Sequence, residues 1–163
     1  MTDVAATDPA APLERPRLPA TAALLGYAGL LPPLVAIGIW MFDPIRGGMA
    51  LALALLYGAL ILSFLGGMWW GAAAARVAGA ALTFWLAIAV VPSLIALAAG
   101  MVFFASVVSG AAILAAGLFA SLLVDLALLR AGHVPAWWMR LRVPLSVGLG
   151  TLTLIAGLLV DRY

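Results

Sequence analysis

The sequence predicts an all-α membrane protein, a polytopic bundle of five transmembrane helices, and three observations carry that prediction. Of 163 residues, 67% are hydrophobic and 9% charged, with a mean hydropathy of +1.24, the balance of an integral membrane protein. Val77–Val124 runs 48 residues without a charge. As one helix it would reach ~72 Å against a hydrocarbon core of ~30 Å, so it must fold back on itself. Third, the stretch Tyr57–Gly71 sets Ala59, Ser63, Gly67 and Gly71 on one i+4 row that continues to Ala75. Ile61, Leu65 and Trp69 form a bulky row on roughly the opposite side. In lipid, small side chains let another backbone come close, while the bulky row can face acyl chains or a bulkier neighbour. Ala59, Ser63, Gly67 and Gly71 are therefore expected to form a helix-packing groove on a central, buried helix.

In chain order, residues 1–19 hold three acids, two arginines and four prolines and read as a disordered tail. They lack the basic-then-apolar order of a cleaved signal peptide and the acid-poor character of an import presequence, so the first span is expected to serve as an uncleaved anchor. The rest, 20–163, reads as one membrane domain. Span one is expected over Ala20–Met41, closed by Trp40, and span two over Gly48–Trp70, with Trp69 and Trp70 at the opposite headgroup level. Ala98-Ala99-Gly100 is expected to turn the long apolar run into spans Val77–Leu97 and Met101–Val124. Pro92 falls too early to be that turn and reads as a kink. Span five is expected over Val143–Val160. Leu31–Ala36 resembles Val91–Ala96, and Gly58–Leu62 resembles Gly110–Leu114, but apolar low-complexity sequence makes such matches short of a repeat.

With five spans, Arg15, Arg17, Arg76, Arg130, Arg140 and Arg142 fall on one side, and Arg46 and Arg162 on the other. The positive-inside bias then places the N-terminus in the cytoplasm and the C-terminus in the periplasm. All basic residues are Arg in an Ala/Gly-rich chain, which points to a GC-rich bacterial genome as a coding bias and not to any chemistry. Segment 131–142 carries Pro135, which can open a short helix, then Trp137, Trp138, Arg140 and Arg142. It reads as a membrane-surface anchor, with docking to a partner as the other reading.

The Tyr57-Gly58…Ser63-Phe64-Leu65-Gly66-Gly67…Trp70-Gly71 run, Val91–Leu97 and Pro135–Leu145 together resemble a known group. It is the uncharacterised family of small multi-pass proteins that includes mitochondrial transmembrane protein 69 and many bacterial relatives, and the resemblance covers about residues 27–154. It implies a bacterial or mitochondrial inner membrane and no catalytic residues. The tryptophan-rich sensory proteins have a similar size and Trp content, but their Trp-Pro-rich first half has no counterpart here.

Few residues are left for chemistry. With no cysteine and one histidine, disulfides, zinc sites, iron–sulfur clusters, thiol catalysis and bis-histidine haem are excluded for this chain alone. A net charge of +2 is too small and dispersed for nucleic acid. Gly66-Gly67 lies inside an apolar helix without the Lys and Ser/Thr of a phosphate loop. Asp125 continues a Gly117–Ser121 row of i+4 spacing toward the end of span four. A carboxylate there opposes the helix dipole and is costly near lipid, so a cation partner is expected among Arg76, Arg140 and Arg142. An ion pair locking spans three to five is the structural reading, a proton relay or substrate contact the functional one. His133 could meet Asp125 or headgroups but has no companions for a metal.

A second candidate lies at mid-depth. Pro32, Pro33 and Pro92 leave the carbonyls of Ala28, Gly29 and Ile88 without donors, and lipid tolerates that only where protein or a cavity re-satisfies them. Tyr57, Thr151 and Thr153 reach the same level. Kinks filled by neighbours are the plain reading; a mid-membrane pocket for a lipid-like or quinone-like ligand is the other. For the whole chain, the leading expectation is a non-enzymatic accessory or assembly partner of a larger membrane complex, or a homo-oligomer, with the lipid bilayer as its solvent. The alternative is a binder or carrier of a hydrophobic small molecule. No cofactor or metal is expected, and one acid among arginines is a poor start for an enzyme.

Overall fold

The computed structural model describes residues 17–161, and within them six helices and no strand. They are α1 (Ala20–Ala28), α2 (Leu31–Phe42), α3 (Pro44–Ala74), α4 (Gly79–Phe103), α5 (Val107–Arg130) and α6 (Trp138–Val160). Taking α1 and α2 as one broken span, Ala20–Phe42, five helices are long and apolar enough to cross a membrane. The protein is a multi-pass helical bundle. The expected tail over 1–19, with Arg15, lies outside the described residues up to position 16, as does Arg162.

Local chemistry explains each boundary. Pro32 and Pro33 have no N–H for the carbonyls of Ala28 and Gly29, and the first span breaks there. The Gly29 and Leu30 N–H groups tighten onto the carbonyls of Gly26 and Tyr27, each at 3.0 Å, and the prolines open α2. Asp43 then caps α3, accepting from the Arg46 N–H at 3.2 Å, with Pro44 at the first helical position where a missing N–H costs nothing. At 31 residues, α3 runs about 46 Å and overshoots the hydrocarbon.

The turn between α4 and α5 is at Phe104–Ala105, not at Ala98–Gly100. Alanine and glycine cannot satisfy exposed backbone in lipid, so the helix continues until Ser106 caps α5 by accepting from the Ser109 N–H at 3.2 Å. Pro92 and Pro144 both sit inside continuous helices. The far end of α5 closes on Gly132, at φ +73°. The Gly132 N–H reaches the Leu129 carbonyl at 3.0 Å and the His133 N–H the Leu128 carbonyl at 2.9 Å, a Schellman closure that needs a left-handed residue. Pro135 opens no helix of its own: turns lead straight into α6. α6 starts at Trp138, so part of the expected interfacial segment 131–142 is its first turn.

α3 is the central element, in contact with α2, α4, α5 and α6. Its packing face follows the expected small row only in part: Ser63 meets Ser93 of α4, hydroxyl to hydroxyl at 2.8 Å, while the row beyond it faces outward. Leu65 and Trp69 of the bulky row are buried, and Ile61 is half-buried. Of the small row, Ala59 and Ser63 are half-buried while Gly67, Gly71 and Ala75 are exposed. Nothing stands within 4 Å of a Cβ added at Gly67 or Gly71. Four helices converge on α3, leaving volume that Leu and Trp fill; the close approach belongs to Gly66, whose added Cβ would collide with the Ala89 carbonyl of α4.

Candidate functional site

Two i+4 rows face each other across the α5–α6 interface. On α5, Gly117, Ser121 and Asp125 are all buried. On α6, Trp138, Arg142 and Ser146 follow the same spacing, and Arg142 and Ser146 are buried. Arg142 Nε donates to Asp125 Oδ2 at 2.7 Å. Its Nη2 donates to Ser146 Oγ at 3.0 Å and Ser121 Oγ at 3.3 Å, and the Ser121 hydroxyl donates to the Leu118 carbonyl at 2.7 Å. The other carboxylate oxygen, Oδ1, accepts the indole N–H groups of Trp69 and Trp138, each at 2.9 Å. One buried carboxylate thus ties α3, α5 and α6 together.

Of the three arginines considered for Asp125, only Arg142 reaches it. Arg76 and Arg140 are exposed and stay apart from it. His133 instead stands edge-on to Trp85, ring centroids 5.9 Å apart. Sequence reasoning assigned Trp69 and Trp138 to headgroups and passed over Ser146. The signal that finds Trp138 and Ser146 is the Trp138–Arg142–Ser146 spacing, which repeats the Gly117–Ser121–Asp125 spacing of the facing helix; no such spacing marks Trp69 on α3.

Beside the cluster lies a cavity of about 370 Å³ between α1, α3 and α6. Its walls are apolar (Leu25, Ile61, Phe64, Met68, Leu141, Leu145 among them), with Arg142, Ser146, Trp137 and Trp138 toward one end and Tyr57 toward the other. α1 forms one wall without burying a single residue, and exposed Leu25 and Phe64 stand at the rim. The arrangement suits an elongated apolar guest that enters sideways from the bilayer.

The six residues expected to share a mid-depth pocket do not meet. Tyr57 lines this cavity, and Pro92 a second one of about 240 Å³ with Trp69, Gly117 and Ser121. Pro33 is buried among neighbours, and Pro32 and Thr151 are exposed. Thr153 donates to the Leu149 carbonyl at 2.8 Å and packs at Gly58. At the α1–α2 break the Gly29 and Leu30 N–H groups turn onto the Gly26 and Tyr27 carbonyls, and the break takes Pro32 and Pro33 away from Pro92 rather than into a shared cavity. Among the described residues no three His, Cys, Asp or Glu side chains gather for a metal.

The model of a family described as "Protein of unknown function (DUF3429)" matches residues 18–159, nearly the whole chain. No curated protein and no solved structure matches it.

Proposed function

The chain belongs to the DUF3429 family, and from that premise we propose that it is a non-enzymatic, multi-pass membrane binder of an amphipathic small molecule, lipid-like or quinone-like. The observation that carries this reading is the cavity between α1, α3 and α6, apolar along its length and polar at the Arg142 end. Ligand sites are typically concave and mostly apolar, with a few placed polar groups. Both oxygens of Asp125 are held by donors, which supports a binding rather than an acid–base role for the cluster.

In this reading that end of the bundle faces the cytoplasm and the opposite end the periplasm of a bacterial inner membrane, an orientation supported by the arginine bias. The resemblance to mitochondrial transmembrane protein 69 extends the proposal to the inner membrane of that organelle. Native mass spectrometry of protein taken from its own membrane in mild detergent tests the binding reading. One amphiphile retained per chain, and lost when Leu145→Trp fills the cavity, supports it; an empty protein, or retention indifferent to that substitution, overturns it.

A second reading is an accessory or assembly partner of a membrane complex, or a homo-oligomer. It is favoured by the outward Gly67 and Gly71, which no helix among the described residues covers. Mild affinity purification should then bring down a stoichiometric partner, and a lone monomer counts against it.

A further inference from the structure

We infer that the cavity selects an uncharged hydrogen-bond-accepting head, a carbonyl on an apolar tail, and that Arg142 Nη1 is the group that holds it. The inference rests on the binding reading above and adds the chemistry of the head. Arg142 has five N–H donors. Nε is committed to Asp125 and Nη2 to the two serines, while Nη1 has no protein acceptor among the described residues. No fully buried side-chain nitrogen or oxygen lacks a partner, so Nη1 is not sealed in. The residue is 5% exposed and forms part of this cavity's wall, and we take the cavity as the side that Nη1 faces. A guest that covers Nη1 must supply the missing acceptor, because a donor shut off from water and left unpaired is costly.

The charge balance sets the kind of acceptor. Asp125 already neutralises Arg142 at 2.7 Å, and apart from Tyr57 the cavity wall has no other ionisable group. An anionic head would leave the pair with a net negative charge in a low-dielectric site, whereas a neutral carbonyl takes the Nη1 donors and adds no charge. The cavity's length suits a tailed molecule. Trp69 and Arg142 both donate to the Asp125 carboxylate, and Tyr57 lies twelve residues from Trp69 on the same helix, about 18 Å away along α3. Quinones and acyl esters both carry such a carbonyl.

The test is titration of the delipidated full chain in micelles, with one-to-one adducts counted by native mass spectrometry. The probes are a decyl-benzoquinone, methyl dodecanoate, dodecyl phosphate and dodecane. The expected result is saturable binding of a neutral carbonyl probe, roughly tenfold tighter than the phosphate, with dodecane weaker still and Leu145→Trp abolishing it. A tighter quinone points to the quinone pool and a tighter ester to acyl lipids; each supports the inference. Dodecyl phosphate binding as tightly or more tightly overturns it, as does dodecane matching the carbonyl probes, and both leave the binding reading standing. If no probe saturates, the binding reading itself falls. Because the comparison is among probes on the unaltered protein, it does not depend on an Arg142 variant that folds.

Discussion

The two ends of the bundle are held together by different physics. At the arginine-rich end, α3, α5 and α6 meet through a buried ion pair, two indole donors and two serines. At the other end the contacts are small and apolar: Ala54, Ala111 and Ala156 form the core with Leu51 and Leu55. There Gly47 lies against the Trp40 backbone and Gly157 against Ala111. Lipid offers helices no hydrophobic drive to associate, so close packing and polar ties are the available means. The polar end has a cavity beside it and keeps its geometry through hydrogen bonds, whereas the apolar end depends on contact alone.

Arg142→Leu should be the most damaging change. It strands Asp125, buried to 0% exposure, and breaking one partner of a buried pair costs about 3–5 kcal/mol. Adding Asp125→Leu should recover most of the loss, because two apolar residues leave no uncompensated charge. Unfolding by SDS titration in mixed micelles measures both. A double variant as weak as the single would mean that the pair stabilises through something beyond mutual compensation.

At the opposite end, Gly157→Ala drives a new Cβ into Ala111, and α5 and α6 must part or lose packing, at about 1–3 kcal/mol. A silent Gly157→Ala would erase the contrast, since it would mean the apolar end has slack. Trp69→Phe or Trp138→Phe removes one of two indole donors from Asp125 Oδ1 and should cost less, about 0.6–1.7 kcal/mol, the range of interhelical hydrogen bonds in membranes. The same titration orders these three variants. Trp138→Phe equalling Arg142→Leu would show the carboxylate to be held mainly by indoles.

The span count and the centrality of α3 were readable because composition and charge-free length are strong signals in lipid. The turn after α4 was misplaced because Ala98-Ala99-Gly100 looks flexible by the rules of water. In a bilayer the unsatisfied backbone outweighs glycine's freedom, and Ser106, a small capping signal, decides. The Gly117–Ser121–Asp125 row pointed at the polar cluster, but choosing Arg142 over Arg76 and Arg140 needed the phase of α6. That helix begins at Trp138 rather than Val143, so the extra turn carries Trp138 and Arg142 inward. The cavity was not readable at all. It exists because the Pro32-Pro33 break separates α1 from α2, and no periodicity reports where a broken half-helix comes to rest.

The adjacent glycines of α3 give the smallest effect and the sharpest sign. Gly66 and Gly67 differ by one position, about 100° of helix, yet one abuts the Ala89 carbonyl and the other meets nothing. Gly66→Ala must push a backbone, which cannot rotate away as a side chain can, and should destabilise despite the better helix propensity of alanine. Gly67→Ala or Gly71→Ala meets no atom and keeps that propensity, so the isolated chain should gain up to about 1 kcal/mol. The gain holds only while that face is open. If a partner's backbone lies there in the native membrane, Gly71→Ala should stabilise the purified chain and weaken the complex at the same time. Comparing SDS titration of the lone protein with the yield of a crosslinked assembly would separate an idle stripe from an occupied one, since an idle stripe changes the first measurement and leaves the second untouched.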